Sequence, residues 1–260
     1  YRKQLANNNF YPNYETTKSI LQSLGVSEDF RSSTHPIRFS HRRLANTDIY
    51  FVSNPTNKKL ETLGLFRVKN KVPELWHPEK GIIRSLPLYS SQNDKIEVPL
   101  KFHPFESYFI VFSEKSTSEQ NAKSNFPIFQ TAAQLKGPWE VIFPRTNGKV
   151  TKKKFEILRD WRKFEDPEIR YYSGIAEYKK VFDMPKTFNK NNDYFLDLGQ
   201  FYEMAEVKLN GFKLGTVWTA PPRVNLSKKL KQKNNILRIK IANSWENRLI
   251  GDKTLATEAR

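Results

Sequence analysis

The sequence predicts a mainly all-β protein of two β-sandwich-type domains, with one short helix ahead of them. Three observations predict it. Apolar runs of strand length, separated by turn signals, recur through both halves of the chain. Pro outnumbers Gly, 15 to 10, which suits many short strands and loops better than a helical bundle. Aromatic residues make up 13% of the 260 residues, so two cores of ordinary size can be filled.

The helix comes first. Residues 14–24 (YETTKSILQSL) place Ile20, Leu21 and Leu24 at helical spacing, and Gly25 is a C-terminal stop. The segment 1–34 is read as the remnant of a preceding domain. A domain over 35–115 follows. Ile37–Ser40 alternates and leads to His41-Arg42-Arg43; a polar turn, Ala45-Asn46-Thr47-Asp48, returns the chain through Ile49–Val52 as a hairpin. Further strands are expected at Leu63–Val68, Glu74–Trp76, Ile82–Leu86, Ile96–Leu100 and Tyr108–Phe112. The polar, aperiodic stretch around Glu114–Asn125 marks a linker, taken as 116–130.

The second domain is expected over 131–260. Its strands are Trp139–Phe143, Gly174–Phe182, Asp193–Leu198, Ala205–Leu209, Lys213–Val217, Arg223–Leu226 and Asn235–Ile241. Asn210-Gly211 is the strongest hairpin signal, because a two-residue type I′ turn needs positive φ at both positions. Arg159–Arg170 is charged, with Trp161 and Phe164 interleaved, and reads as a helical turn or an ordered loop.

Charge and composition exclude several classes. The net charge of +17 suggests a polyanion partner. Yet the longest basic run, Lys152-Lys153-Lys154, and the cluster Lys228, Lys229, Lys231 and Lys233 sit beside turn residues, with no base-reading helix or aromatic RNA-binding strand. The lysines are read as solvated faces, and nucleic acid is not expected as a partner. No stretch approaches the roughly 20 apolar residues that span a bilayer, so no membrane partner is expected. The absence of Cys excludes disulfides and thiolate metal sites. The chain opens Tyr1-Arg2-Lys3-Gln4 without Met or an apolar leader, and is read as a piece of a longer protein.

Several blocks resemble known proteins. Leu196–Gly199, Val207–Gly211 and Leu214–Trp218 resemble the sugar-binding β-sandwich typified by glycoside hydrolase family 2. The segment Asn243–Asp252 resembles the C-terminal signature of glycoside hydrolase family 106, the α-L-rhamnosidases and their relatives. In the first half, Ile37–Asn54, Phe66-Arg67-Val68, Pro73–Trp76 with Gly81, and Ser107–Phe112 resemble successive blocks of the same family. His77 and Asn225 stand where the family pattern has acidic residues.

The resemblance implies a jelly-roll or galactose-binding-like second sandwich. It also implies that the chain is the non-catalytic C-terminal part of an α-L-rhamnosidase. The missing N-terminal catalytic domain and carbohydrate would be its partners, and the parent would be secreted or periplasmic. No cofactor is implied; sandwiches of this class often carry a structural Ca²⁺, for which no acidic loop offers a site. A stand-alone carbohydrate-binding module and a basic nucleic-acid-binding protein are the alternatives.

Site candidates follow from chemistry. Glycosidases place two carboxylates across the sugar, roughly 5–10 Å apart. Asp160, Glu165, Asp166, Glu168, Glu203 and Glu206 are the nearest candidates; the first four lie among Arg and Lys, and the last two come from one strand end. No residue is therefore expected to be catalytic. His35, His41, His77 and His103 lack metal-ligand spacing. Tyr202, Glu203, Trp218, Arg223, Asn243, Trp245, Asn247 and Arg248 carry the aromatic and planar polar groups that sugars need, or that hold domains together. Trp218 and Trp245 are more readily core or interdomain packing, and Asn243–Arg248 reads as a loop. His41 and Arg43 either point towards a neighbouring catalytic domain or its substrate, or the segment serves interdomain salt bridging, with Arg42 or Arg43 pairing Asp48 across the hairpin.

Overall fold

The computed structural model of the chain describes residues 13–34, 36–114, 124–145 and 147–258. His35 and residues 116–123 of the expected linker lie outside the described residues. The chain divides into two compact units, Tyr1–Ile128 and Phe129–Arg260.

Helix α1 (Tyr14–Ser23) opens the first unit. The Asn13 side chain caps it by accepting from the Glu15 N–H at 3.0 Å. Gly25, at φ +72°, ends it as its sequence position foretold. The rest of the unit is a sandwich of two antiparallel sheets. The four-stranded sheet runs β1-β4-β8-β7 and the five-stranded sheet β2-β3-β9-β5-β6. The strands are β1 (Phe30–Ser32), β2 (Arg38–Leu44), β3 (Thr47–Ser53), β4 (Leu60–Phe66), β5 (Val72–His77), β6 (Ile82–Ser85), β7 (Ser90–Gln92), β8 (Lys95–Phe102) and β9 (Ser107–Ser113). Period-2 alternation drives the packing. Along β8, Ile96, Val98, Leu100 and Phe102 are buried and their neighbours are not. Tyr50, Phe66 and Phe112 close the core, with Phe66 4.9 Å from both other rings.

Three features depart from expectation. Phe30–Ser32 precedes residue 35 and still forms the edge of the first sheet, paired with β4. Ser90–Gln92 is a strand too short and polar to show a period. The β2–β3 turn is only Ala45-Asn46: Thr47 and Asp48 already belong to β3, and Asp48 is buried.

The second unit is built on a six-stranded antiparallel sheet in the order β11-β10-β12-β17-β14-β15, with a two-stranded ribbon β13-β16. Its strands are β10 (Trp139–Pro144), β11 (Val150–Phe155), β12 (Ile175–Phe182), β13 (Phe195–Asp197), β14 (Met204–Leu209), β15 (Phe212–Val217), β16 (Arg223–Asn225) and β17 (Asn235–Ala242). Val141, Phe143, Ala176, Ala205, Val207, Leu209 and Leu237 point inward and are fully buried. Asn210 and Gly211 take φ +52° and +87°, as the hairpin required. The 159–170 segment forms a 3-10 turn (Trp161–Lys163) and a one-turn helix α2 (Pro167–Arg170). Asp160 and Asp166 cap them, and Trp161 and Ile169 plug the core.

Two corrections concern charge-rich segments. The basic run at Lys152 lies in edge strand β11, whose Lys side chains suit an exposed sheet edge. The expected loop after Asn243 becomes helix α3 (Glu246–Glu258) one residue past Trp245. Glu246 in its first turn and the Arg248–Asp252 pair at 2.9 Å favour the helix. Gly251 lets α3 lie against Tyr171: a Cβ there would fall 2.5 Å from the Tyr171 Cβ and Cγ. Gly251→Ala is therefore expected to destabilise the second unit by about 1–3 kcal/mol through overpacking. A melting temperature equal to wild type in thermal unfolding would mean that α3 does not pack this closely.

Candidate functional site

Strand register gathers five of the expected residues at one end of the six-stranded sheet. Met204 pairs with Ala242, and Ala205 with Val217, so β14 begins where β15 and β17 finish. Tyr202, Glu203, Trp218, Asn243 and Trp245 all lie within three residues of those ends. Three rings stand open there: Tyr202 is 64%, Trp218 63% and Trp245 80% exposed. That exposure overturns core packing for Trp218 and Trp245; interdomain packing, the other half of the expectation, calls for such open rings. Arg162, held by Asp160 at 2.6 Å, donates to the Tyr202 hydroxyl at 3.1 Å and lies 5.3 Å from its ring centre. Glu203 is exposed and takes φ +60°, a left-handed conformation rare outside Gly and Asn.

The remaining polar candidates are engaged in holding the fold. Asn243 accepts from the Gly174 N–H at 2.9 Å and donates to the Tyr172 carbonyl at 2.8 Å. Asn247 donates to the carbonyls of Arg170 and Tyr172. Together they tie the start of α3 to the 170–174 loop. Arg223 lies opposite Asp197 in the β13–β16 ribbon, bonded at 3.0 Å, with its guanidinium 4.5 Å from the Phe129 ring. Arg248 pairs with Asp252 on α3.

Three carboxylates of this unit, Asp160, Asp166 and Glu206, lean away from acid catalysis. Hydrogen bonding to Arg162 holds Asp160 below the ordinary carboxylate value, Lys153 does the same to Asp166, and Lys213 to Glu206. Glu168 pairs with Arg145 at 3.0 Å. A glycosidase acid needs the opposite shift.

In the first unit, His41 turns inward onto a charged network. Its ring stacks on Tyr50 at 4.0 Å, with Nδ1 2.9 Å from Asp29 and Nε2 3.1 Å from Asp48. Lys71 reaches the other Asp48 oxygen at 2.6 Å, and Arg67 and the Tyr50 hydroxyl both donate to Asp29. The foreseen Arg43–Asp48 pair is present but long, at 4.0 Å. Of these residues, Arg43, Asp48, Arg67 and Lys71 border a cleft of about 340 Å³ with Lys69, Asp94 and Lys95. Asp29, Arg67 and Lys71 were not legible as members. The hairpin register brings Asp48 to Arg43, but the other three come from segments distant in sequence.

Burial pushes Asp48 up, yet hydrogen bonds from Lys71 and His41 outweigh it and hold the carboxyl below its ordinary 3.8. The folded value lies below the unfolded one, so Asp48 stabilises above the unfolded value and loses that contribution as pH falls through the folded one. Asp48→Asn also leaves the buried Lys71 ammonium without its carboxylate. A loss on the order of 3 kcal/mol at neutral pH is expected. The gap to wild type should narrow below about pH 4. Denaturant titrations at pH 7 and pH 3 check both.

Glu106 behaves oppositely. Burial pushes its carboxyl up to about 7, against the pull of the His103 N–H. His77 Nε2 lies 3.9 Å away, and Glu79, Lys80 and Arg84 also act on the carboxyl. This group stabilises fully below its ordinary 4.5 and loses that contribution as pH rises through about 7. Glu106→Gln, neutral throughout, is expected to flatten the decline in stability between pH 4.5 and 7.5, read by thermal melts across that range. An unchanged slope would exclude Glu106 as its source.

Among the described residues, no group of three or more His, Asp or Glu could hold a metal ion. None of the described helices is long and apolar enough to cross a membrane.

The relatives of this chain are glycoside hydrolases. Residues 3–91 match the family model described as alpha-L-rhamnosidase, glycoside hydrolase family 106. The solved rhamnosidase of Novosphingobium sp. PP1Y is 33% identical, with a TM-score of 0.79. That match covers 91% of this chain and 23% of that one. A Formosa agariphila protein provisionally named a beta-glucuronidase is 43% identical over 122 residues, 46% of this chain and 10% of that protein. The chain is thus similar to glycoside hydrolase family 106 proteins, and it spans only about a tenth to a quarter of the length of these relatives.

Proposed function

We propose that the chain is the non-catalytic C-terminal part of a glycoside hydrolase that removes terminal α-L-rhamnosyl residues from polysaccharides. The similarity to a rhamnosidase over 91% of the chain, covering 23% of that enzyme, carries this reading. The ion-paired carboxylates of the second unit support the non-catalytic role, since none is held ready to protonate a leaving group. The second unit serves as the galactose-binding-like sandwich, and its partner is an N-terminal catalytic domain. A secreted or periplasmic setting goes with polysaccharide as substrate.

Hydrolysis of p-nitrophenyl α-L-rhamnopyranoside tests the division of labour. The 260-residue chain is expected to be inactive, and the full-length parent active. Turnover by the chain alone would overturn the reading.

The three open rings favour a second reading, a carbohydrate-binding module, because a pyranose presents an apolar face that stacks on aromatics. Trp218→Ala with Trp245→Ala is expected to leave the melting temperature within about 2 °C of wild type, since both side chains are surface-exposed. Calorimetry with rhamnose-containing oligosaccharides then decides. Heat lost in the double variant marks a sugar platform, and flat traces in both proteins leave the rings as a docking surface for the catalytic domain.

A further inference from the structure

The outward face of the six-stranded sheet in the second unit carries an ordered array of cations. Because Val141, Tyr178, Ile239 and Val207 point inward, their strand neighbours point out. Register then aligns Lys154, Glu140, Lys179, Arg238, Lys208 and Lys213 in one row, one residue from each strand. With strands about 4.8 Å apart, this row is about 24 Å long. The next outward row holds Lys152, Glu177, Lys240 and Glu206. The two rows bring seven cations against three carboxylates. Each carboxylate is engaged by a cation of the face: Glu140 by Lys179 at 3.2 Å, Glu206 by Lys213 at 2.6 Å, and Glu177 by Arg238. Lys152, Lys154 and Lys240 form no ion pair among the described residues. At the β11 end the row opens into a groove of about 330 Å³ lined by Pro138, Glu140, Lys154, Lys179, Lys180 and Val181.

We infer that this sheet face binds an acidic polysaccharide laid across the strands, with one anionic group seated in the groove at Lys154, Lys179 and Lys180. A salt-bridged, merely solvating face would alternate its signs; this one keeps an excess of four positive charges on a rigid lattice. The interleaved glutamates argue for the class of polyanion. They repel duplex DNA, which carries a negative charge every ~1.7 Å along its axis. A saccharide chain is charged only once per sugar or less, and its hydroxyls donate to carboxylates. The row also lacks the aromatic platforms on which single-stranded bases stack. The choice of polysaccharide over nucleic acid rests in addition on the glycoside hydrolase reading above.

Binding of the full chain to four probes at 0.15 M NaCl tests the inference: polygalacturonate, dextran sulfate, neutral dextran and duplex DNA. One or both anionic polysaccharides are expected to bind and neutral dextran not to; the pair distinguishes carboxylate from sulfate. Lys152→Gln, Lys154→Gln and Lys240→Gln together should weaken binding more than about tenfold. A control triple with the same charge loss elsewhere, Lys58→Gln, Lys59→Gln and Lys190→Gln, should weaken it less than about threefold. Equal losses in the two triples, no binding to either anionic polysaccharide, equal binding of neutral dextran, or tighter binding of DNA would each overturn the inference. An inactive full-length parent in the rhamnoside assay would sink the enzyme reading and leave this binding result standing.

Discussion

The long antiparallel strands commit every second side chain to a core, and the rest of the molecule is arranged around that commitment. Along β3, β8 and β17 the inward residues are buried almost completely. Chemistry is left to the outward positions and to the connections at the strand ends. The open rings of Tyr202, Trp218 and Trp245 lie at strand ends, and the cationic rows lie on outward positions. Neither could be placed elsewhere without opening the core.

The two units handle charge in opposite ways. In the first, Asp48 and Lys71 are withdrawn from water, and the cost of burying them is offset by a chain of hydrogen bonds through His41 to Asp29 and Arg67. Their role is internal: they join strands from separate parts of the sequence. In the second, the cations of the six-stranded sheet stay in water and their excess over carboxylates is left uncompensated. A lysine count treats both groups alike. The first is structure, and the second is available to a partner.

Much of this was legible residue by residue. Ile96–Leu100 and Tyr108–Phe112 showed their period, and Asn210-Gly211 its turn, because alternation and positive φ are local properties. The α1 stop at Gly25 was legible for the same reason. What failed was also physical. Phe30–Ser32 has too few residues for a period and depends on pairing with β4. Val150–Phe155 looks like a basic run because an edge strand tolerates lysines on both faces. Asn243 and Asn247 have sugar-binding chemistry in isolation, yet their amide groups are used by the 170–174 backbone.

The mainly β architecture, the hairpins and the family likeness can be read from residues alone, since they rest on patterns within short windows. Tertiary structure decided which of those residues have free chemistry. It turned His41 inward between two aspartates, left Trp218 and Trp245 open, and set cations from β11, β12, β14, β15 and β17 into one row. Pairing register is the reason: it brings together residues more than sixty positions apart along the chain, such as Glu177 and Lys240, and no local pattern encodes which strand becomes whose neighbour.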